Sequence, residues 1–309
     1  MNNRFTRREF AKVAALGGAA AAVPLSLPPT LAAKSPNVKV GHTEITWPND
    51  QVEQAIKDVS SLGYYGFEVF GQVLEKWEAQ PGGLGRVLNE NRLPLVSAYC
   101  GFNMTDPAKL KDEMAKMVGW GKLIKKYGGK VSVLGPSSVS RETYNYKDHK
   151  NDIIKAVNEV SKALTDIGIT ACFHQHTGTC VESRDETYAT MEAVDTRHVK
   201  FGPDIGQLQK GGADPVQVVK DFLPIVNHMH LKDYNGGEYY GGYCPLGMGQ
   251  VNVPGILKLM EGRRIAGMIM VELDGQHFSP DKKTAPYTPL QTATMARAYL
   301  QKQGVKFRS

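Results

Sequence analysis

The chain has 309 residues, is 41% hydrophobic and 22% charged, and carries a formal net charge of +6; these are the proportions of a soluble globular protein with one large core or two small ones. Half of the excess charge sits in residues 1–33, where Arg4, Arg7, Arg8 and Lys12 stand against Glu9 for a net +3, so residues 34–309 carry the other +3. The remaining Lys and Arg are scattered, with nothing beyond pairs such as Lys125-Lys126 and Arg263-Arg264, which argues against a nucleic-acid partner read through a clustered basic face.

In chain order, Thr6-Arg7-Arg8-Glu9-Phe10-Ala11-Lys12 comes first, then an Ala- and Gly-rich apolar run to Val23, Pro-rich sequence, and Leu31-Ala32-Ala33. This fits a twin-arginine signal peptide over residues 1–33, cleaved near Ala33. The apolar run is shorter than the ~20 residues of a spanning helix, so no stable membrane anchor is expected. The address implied is bacterial and periplasmic or secreted. Cys100, Cys172, Cys180 and Cys244 form no C-x-x-C pair, and free thiols are expected.

From Val38 onward, short apolar runs alternate with longer amphipathic ones. The strand candidates are Val38–His42, Gly66–Phe70, Pro94–Tyr99, Lys130–Leu134, Ile169–His174, Val199–Asp204, Val226–Leu231 and Gly267–Glu272. The helix candidates are Gln51–Leu62, Leu84–Asn91, Pro107–Tyr127, Lys147–Ile167, Asp185–Ala193, Asp214–Phe222, Val253–Glu261 and Pro289–Gln301. Thr105-Asp106-Pro107 reads as a cap before an N1 proline, and Gly63, Gly128 and Gly168 each close a helix. Strands alternating with helices imply parallel pairing, and eight such units imply an α/β fold: a (β/α)8 TIM barrel, one domain over residues 34–309. No G-x-G-x-x-G follows the first strand, which disfavours a doubly wound sheet.

A barrel of this kind carries its chemistry on the strand C-termini. Strand one leads to Glu44, Trp47, Asn49 and Asp50; strand two holds Glu68; strand three leads to Tyr99 and Asn103. Strand five gives His174, His176 and, further on, Glu182. Strand six gives Asp204 and Gln207, strand seven His228, His230, Lys232 and Asp233, and strand eight Glu272 and Asp274. Carboxylates and imidazoles converging there suit one divalent metal, Mn²⁺, Co²⁺, Zn²⁺ or Fe²⁺, rather than calcium. Each residue also has a structural reading. Asp204 fits a turn, Glu68 a salt bridge, Lys232-Asp233 a surface pair, Trp47 core packing as well as a sugar platform, and His228 a hydrogen-bonded core histidine.

As an ordered set these residues resemble the sugar isomerase/epimerase superfamily with xylose isomerase-like barrels, and within it the inosose dehydratase branch. The resemblance rests on Ile45-Thr46-Trp47-Pro48-Asn49-Asp50, Gly63-Tyr64-Tyr65-Gly66-Phe67-Glu68, His174 to Glu182, Asp204-Ile205-Gly206-Gln207, His228 to Asp233, Leu246-Gly247-Met248-Gly249 and Val271-Glu272. It implies one metal bound by Glu, Asp, His and Glu, of which Asp204, His230 and Glu272 match the last three. The strand-five position holds His174 instead of Glu, so either His174 or Glu182 completes the shell, with Glu182 preferred. The resemblance further implies α-proton abstraction from a keto-sugar, keto-inositol or 3-keto-glycoside through a metal-stabilised enediolate, ending in isomerisation or β-elimination. His174, His176 and Glu68 are then the candidate acids and bases, with Lys232 as electrostatic support. Trp47, Asn49, Gln207 and Asp233 are candidate contacts to a small carbohydrate. The competing readings are a sugar-binding barrel without turnover and a metal-dependent phosphodiesterase like the AP endonucleases. The oligomeric state stays open, a homo-oligomer included.

Overall fold

The computed structural model describes residues 38–279 and 283–309, so the signal expected over residues 1–33 lies outside the described residues. The strands are β1 (Val40–Thr43), β2 (Phe67–Phe70), β3 (Leu95–Gly101), β4 (Val131–Gly135), β5 (Thr170–Phe173), β6 (Val199–Phe201), β7 (Met229–Leu231), β8 (Asp233–Tyr234), β9 (Tyr243–Cys244) and β10 (Ile269–Val271). Between and after them run α1 (Val52–Ser61), α2 (Gly71–Glu78), α3 (Gly83–Glu90), α4 (Leu110–Lys126), α5 (Tyr146–Asp166), α6 (Arg184–Met191), α7 (Ile205–Lys210), α8 (Pro215–Asp221), α9 (Val253–Met260) and α10 (Pro289–Lys302).

Eight strands pair in parallel in the order β6-β5-β4-β3-β2-β1-β10-β7. The seam between β6 and β7 is joined by single bridges, Phe201 to Val226 and Asp204 to His230. Across it Asn227 donates its N–H to the Phe201 carbonyl (3.0 Å) and His230 to the Pro203 carbonyl (2.9 Å). The result is the expected (β/α)8 barrel. Successive residues of a strand face opposite sides, and this parity sorts the chemistry. Met229 and Leu231 pack into the main apolar core between sheet and helices. His228, His230 and Lys232 alternate with them and turn inward. Below, Val131, Val133 and Cys172 fill the barrel with Tyr99. All four cysteines are free and buried, as expected.

The local signals act as read. The Asp106 carboxylate accepts from the Ala108 N–H (3.0 Å) ahead of α4, and Gly63, Gly128 and Gly168 take positive φ at the ends of α1, α4 and α5. Two helices were not foreseen. The Gly71–Glu78 segment has no cap signal and follows β2 directly, and the six residues of α7 fall inside what reads as a turn after Asp204. Strand six is also shorter than expected, because Pro203 has no N–H to continue the ladder, and strand seven begins at Met229 instead of Val226. No described helix is long and apolar enough to cross a membrane.

The β8–β9 hairpin corrects one expectation, that Asp233 contacts the carbohydrate. Its Oδ1 accepts from the N–H groups of Tyr234 (2.9 Å) and Val251 (3.1 Å), and its Oδ2 from Gly247 (2.9 Å) and Gly249 (3.0 Å). The carboxylate is buried and all of its acceptor sites are used, so it pegs the 245–251 loop. A Cβ on Gly249 would lie 2.1 Å from Asp233 Oδ1, so only glycine lets the backbone come this close. Removing the peg leaves four N–H groups without their acceptor, each charge-assisted bond being worth about 1.5–3 kcal/mol and partly replaced by water. Asp233→Ala is therefore expected to lose roughly 3 kcal/mol in denaturant unfolding, with faster hydrogen exchange at Gly247, Gly249 and Val251. Unchanged exchange at those amides would contradict the peg.

Candidate metal and catalytic centre

The strand ends bring together His174, Asp204, His230 and Glu272. His174 follows β5 and its N–H still donates to Leu134 (3.1 Å); its Nδ1–H donates to the Gly202 carbonyl (3.2 Å). That fixes the tautomer and leaves Nε2 as a lone pair, buried without a partner. Burial, with His230 and His176 nearby, holds this imidazole neutral well below the usual histidine range. Asp204 caps α7, its Oδ1 accepting from Gly206 (2.8 Å) and Gln207 (3.0 Å), so Oδ2 is left to face inward. One donor atom each from His174, Asp204 and His230 lies within 4.8 Å of the others. Glu272 Oε2 joins them, 2.8 Å from His230 Nδ1.

His230 stands between two carboxylates. Glu68 Oε1 is 2.7 Å from its Nε2 and Glu272 Oε2 2.8 Å from its Nδ1, yet neither contact reaches a hydrogen-bonding angle. Donors crowded at contact distance without satisfying one another, together with the orphaned His174 Nε2, are the geometry of ligands around a shared cation. Two imidazoles and two carboxylates with no thiolate fit a divalent transition metal. Lys232 is fully buried beside them, its Nζ 2.6 Å from Glu272, 2.8 Å from Asp274 and 3.1 Å from Asp204. Burial opposes its charge, but these carboxylates raise its pKa well above the usual lysine value. Asp204 is nonetheless pushed up, because burial outweighs the pull of Lys232 and Glu272 adds repulsion. Gly206 makes room for the ammonium's stem: a Cβ there would meet Lys232 Cγ at 2.7 Å.

Other expected residues take other places. Glu182, the preferred fourth ligand, is not part of the cluster. Its Oε2 accepts from the Gly178 N–H and lies 3.7 Å from Arg141 Nε, so the strand-five position falls to His174. Glu68 acts as a positioning carboxylate, since Ser97 Oγ (2.6 Å) and His228 Nε2 (2.9 Å) donate to its Oε2 and its Oε1 lies against His230. Burial disfavours its charge, but His230 and His228 hold it ionised far below the usual range. His228 is the hydrogen-bonded core histidine expected, accepting at Nδ1 from the Met268 N–H (3.3 Å). Trp47 is buried in the core and donates to Asp58 Oδ2 (3.0 Å), which makes it packing instead of a sugar platform. Asn49 is exposed on the loop before α1.

Gln207 and His176 form a second unit. Gln207 Oε1 accepts from Thr177 N–H (3.1 Å), Thr177 Oγ1 (2.6 Å) and Tyr243 OH (2.5 Å). A backbone N–H can only donate, so the amide oxygen is fixed and Gln207 Nε2 must donate to His176 Nε2 (2.8 Å). His176 Nδ1–H donates to the Thr177 carbonyl (2.7 Å). Burial and then the Lys232 charge lower its pKa, so it is neutral with its lone pair on Nε2. A cavity of about 180 Å³ opens over this region, lined by Glu44, Glu68, Tyr99, His176 and Glu272 and walled by Phe70 and Phe278. Sequence reading singled out neither Phe278 nor a role for Glu44: Phe278 lies four residues beyond Asp274, the last foreseen strand-end group, and Glu44 carries no motif.

A family model described as xylose isomerase-like TIM barrel matches residues 56–295, and the chain belongs to that family. It is 27% identical over 304 residues to an inosose dehydratase of Mesomycoplasma hyopneumoniae strain J, covering 87% of this chain and 97% of that one. A Clostridium botulinum inosose dehydratase is 24% identical over 305 residues, covering 87% and 98%. Among solved structures, a probable 3-DHS dehydratase from Bacillus anthracis superposes with a TM-score of 0.70 at 15% identity, covering 85% of this chain and 99% of that one. An IolI protein with a bound zinc atom does so at 0.68 and 14%, covering 88% and 100%. These two establish likeness of fold.

The ligand assignment is checked by metal titration against a competing chelator dye. His174→Ala, Asp204→Ala and Glu272→Ala are each expected to release the metal, and Glu68→Gln to weaken it about 10–100-fold through the lost support of His230. Glu182→Ala should bind as the parent does. If Glu182→Ala releases metal as readily as Asp204→Ala, the assignment of His174 fails.

Proposed function

We propose that this member of the xylose isomerase-like TIM barrel family is a metal-dependent enzyme that removes a proton next to the carbonyl of a keto-sugar, keto-inositol or 3-keto-glycoside. The observation that carries this reading is the buried donor group of His174, Asp204 and His230, with Glu272 against His230, beside a cavity that Glu272 and the neutral His176 line. The inosose dehydratase relatives and a solved Escherichia coli structure titled 3-keto-D-glucoside 4-epimerase (TM-score 0.65, 13% identity, covering 86% of this chain and 99% of that one) support a small carbohydrate as substrate. We further infer export to the periplasm or medium, on the Arg7-Arg8 leader alone.

A divalent cation held by His174, Asp204, His230 and Glu272 would polarise the substrate carbonyl and stabilise the negative charge that develops on it. His176 is the base. Glu68 is held by Ser97 and His228 at Oε2 and lies against His230 at Oε1, whereas His176 needs only one amide N–H to withdraw. When Gln207 yields Nε2, that nitrogen takes the α-proton, and the Nδ1–H bond to Thr177 keeps the ring in place. The imidazolium formed faces Asp274 and Asp204, which favour its charge. Lys232 fixes Glu272, Asp274 and Asp204 relative to one another, so the field at the reacting carbon is set before substrate arrives.

Incubating the metal-loaded protein with a keto-sugar panel in D₂O is expected to place deuterium at an α-carbon. His176→Gln should slow that exchange by at least about 100-fold, the low end of what a general base contributes, with metal content unchanged. Metal-loaded protein that binds members of the panel without incorporating deuterium would instead be a binding barrel.

A further inference from the structure

We propose that Glu44 is the proton donor to a departing β-oxygen, which makes this a lyase site instead of an isomerase site; the proposal rests on the enolising reading above. Glu44 stands one residue past β1, at the start of a 3₁₀ turn spanning Glu44–Thr46. Its side chain is buried, with the residue only 3% exposed, yet it lines the same cavity as His176 and Glu272. Oε1 receives one long bond from the Phe70 N–H (3.4 Å), and Oε2 has no partner. Among the described residues no Lys, Arg or His forms an ion pair with it, in contrast to Glu68 and Glu272.

A buried carboxylate without a counter-charge is costly, whereas a buried carboxylic acid is not. Burial raises the Glu44 pKa to about 8, against the Phe70 bond and with help from Glu68. At neutral pH Glu44 is then an acid whose O–H has nothing in the protein to bond. Isomerisation can return a proton with the group that removed it, and epimerisation returns one to carbon from the opposite face. Elimination needs something more, because the oxygen that leaves must be protonated.

The steps balance. His176 Nε2 takes the α-proton, and the C–H electron pair moves into the enediolate. The oxyanion's pair then re-forms the carbonyl, while the pair taken from the C–H bond shifts to make a double bond between the α- and β-carbons. The β C–O bond breaks with its electrons going to oxygen, which takes the Glu44 proton and departs as water or an alcohol. His176 gives its proton to solvent and Glu44 recovers one, so the net change is loss of one water or alcohol.

The test compares Glu44→Gln with the parent on two 3-keto-glycosides, one with a methyl and one with a 4-nitrophenyl aglycone. Release of methanol should slow by at least about 100-fold, while release of 4-nitrophenolate, which leaves without a proton, should change by less than about threefold. Deuterium exchange at the α-carbon should continue. The parent-minus-variant infrared spectrum at neutral pH should show the carbonyl band of a protonated carboxyl. Equal slowing for both aglycones, or no such band, would overturn the role of Glu44. Absence of exchange in the metal-loaded parent would overturn the enolising reading first, and this proposal with it.

Discussion

Burying negative charge is the constraint around which the strand ends are organised. Glu68, Asp204, Glu272 and Asp274 converge on a region whose fixed positive charge is the Lys232 ammonium, helped by the His230 imidazole between Glu68 and Glu272. Buried ions repay desolvation only when their partners are close and well oriented. Lys232 meets this condition for Glu272 and Asp274 and less so for Asp204, whose carboxyl is pushed up as a result. Counted formally, four carboxylates against one ammonium and one imidazolium leave two negative charges. A divalent cation there would take His230 as a neutral ligand, so four carboxylates against the cation and the ammonium would leave one negative charge, and this partial offset is the electrostatic counterpart of the orphaned lone pairs.

Register is what makes the charges meet. Met270 pairs with His230 and Val271 with Leu231 along β10 and β7, while the Asp204 to His230 bridge joins the other side. Asp204 and His230 thus lie opposite each other and Glu272 two residues beyond the partner of His230, all three on adjacent strands, and a one-residue slip would turn each out into the apolar layer. Stability comes from elsewhere: the large apolar cluster between sheet and helices and the small one inside the lower barrel. The upper end can therefore hold unsatisfied groups without threatening the fold.

The fold was legible because each strand is a short apolar run with a turn signal behind it. Most of the site was legible for the same reason, since a charge that ends a buried run, such as Glu272, has few structural explanations. What misled was chemistry that is equally good at building loops. Asp233 lies one residue beyond Lys232 and has the same polar appeal, but alternation turns it to the backbone of its own hairpin. Glu182 sits at the end of a promising motif, yet Arg141, some forty residues earlier, faces it across the β4–α5 connection, a contact no local pattern announces. Trp47 fits the core through Asp58, eleven residues on. Glu44 went unnoticed as a functional group for the opposite reason, because its environment is defined by what is missing from it.

The same burial acts in opposite senses on the two groups that flank the cavity. Taking a group out of water penalises its charged form, so it drives a carboxyl up and an imidazole down. Glu44 is left holding its proton, and His176 is left with its lone pair. Both are neutral at the same pH, one able only to give and the other only to receive, with no ion pair between them to cancel the difference. Lys232 adds to the asymmetry by holding His176 unprotonated, and Glu68 adds to it by keeping Glu44 protonated. In the proposed reaction a site poised this way would take a proton from carbon on one side and give one to the departing oxygen on the other, the polarity that an elimination requires.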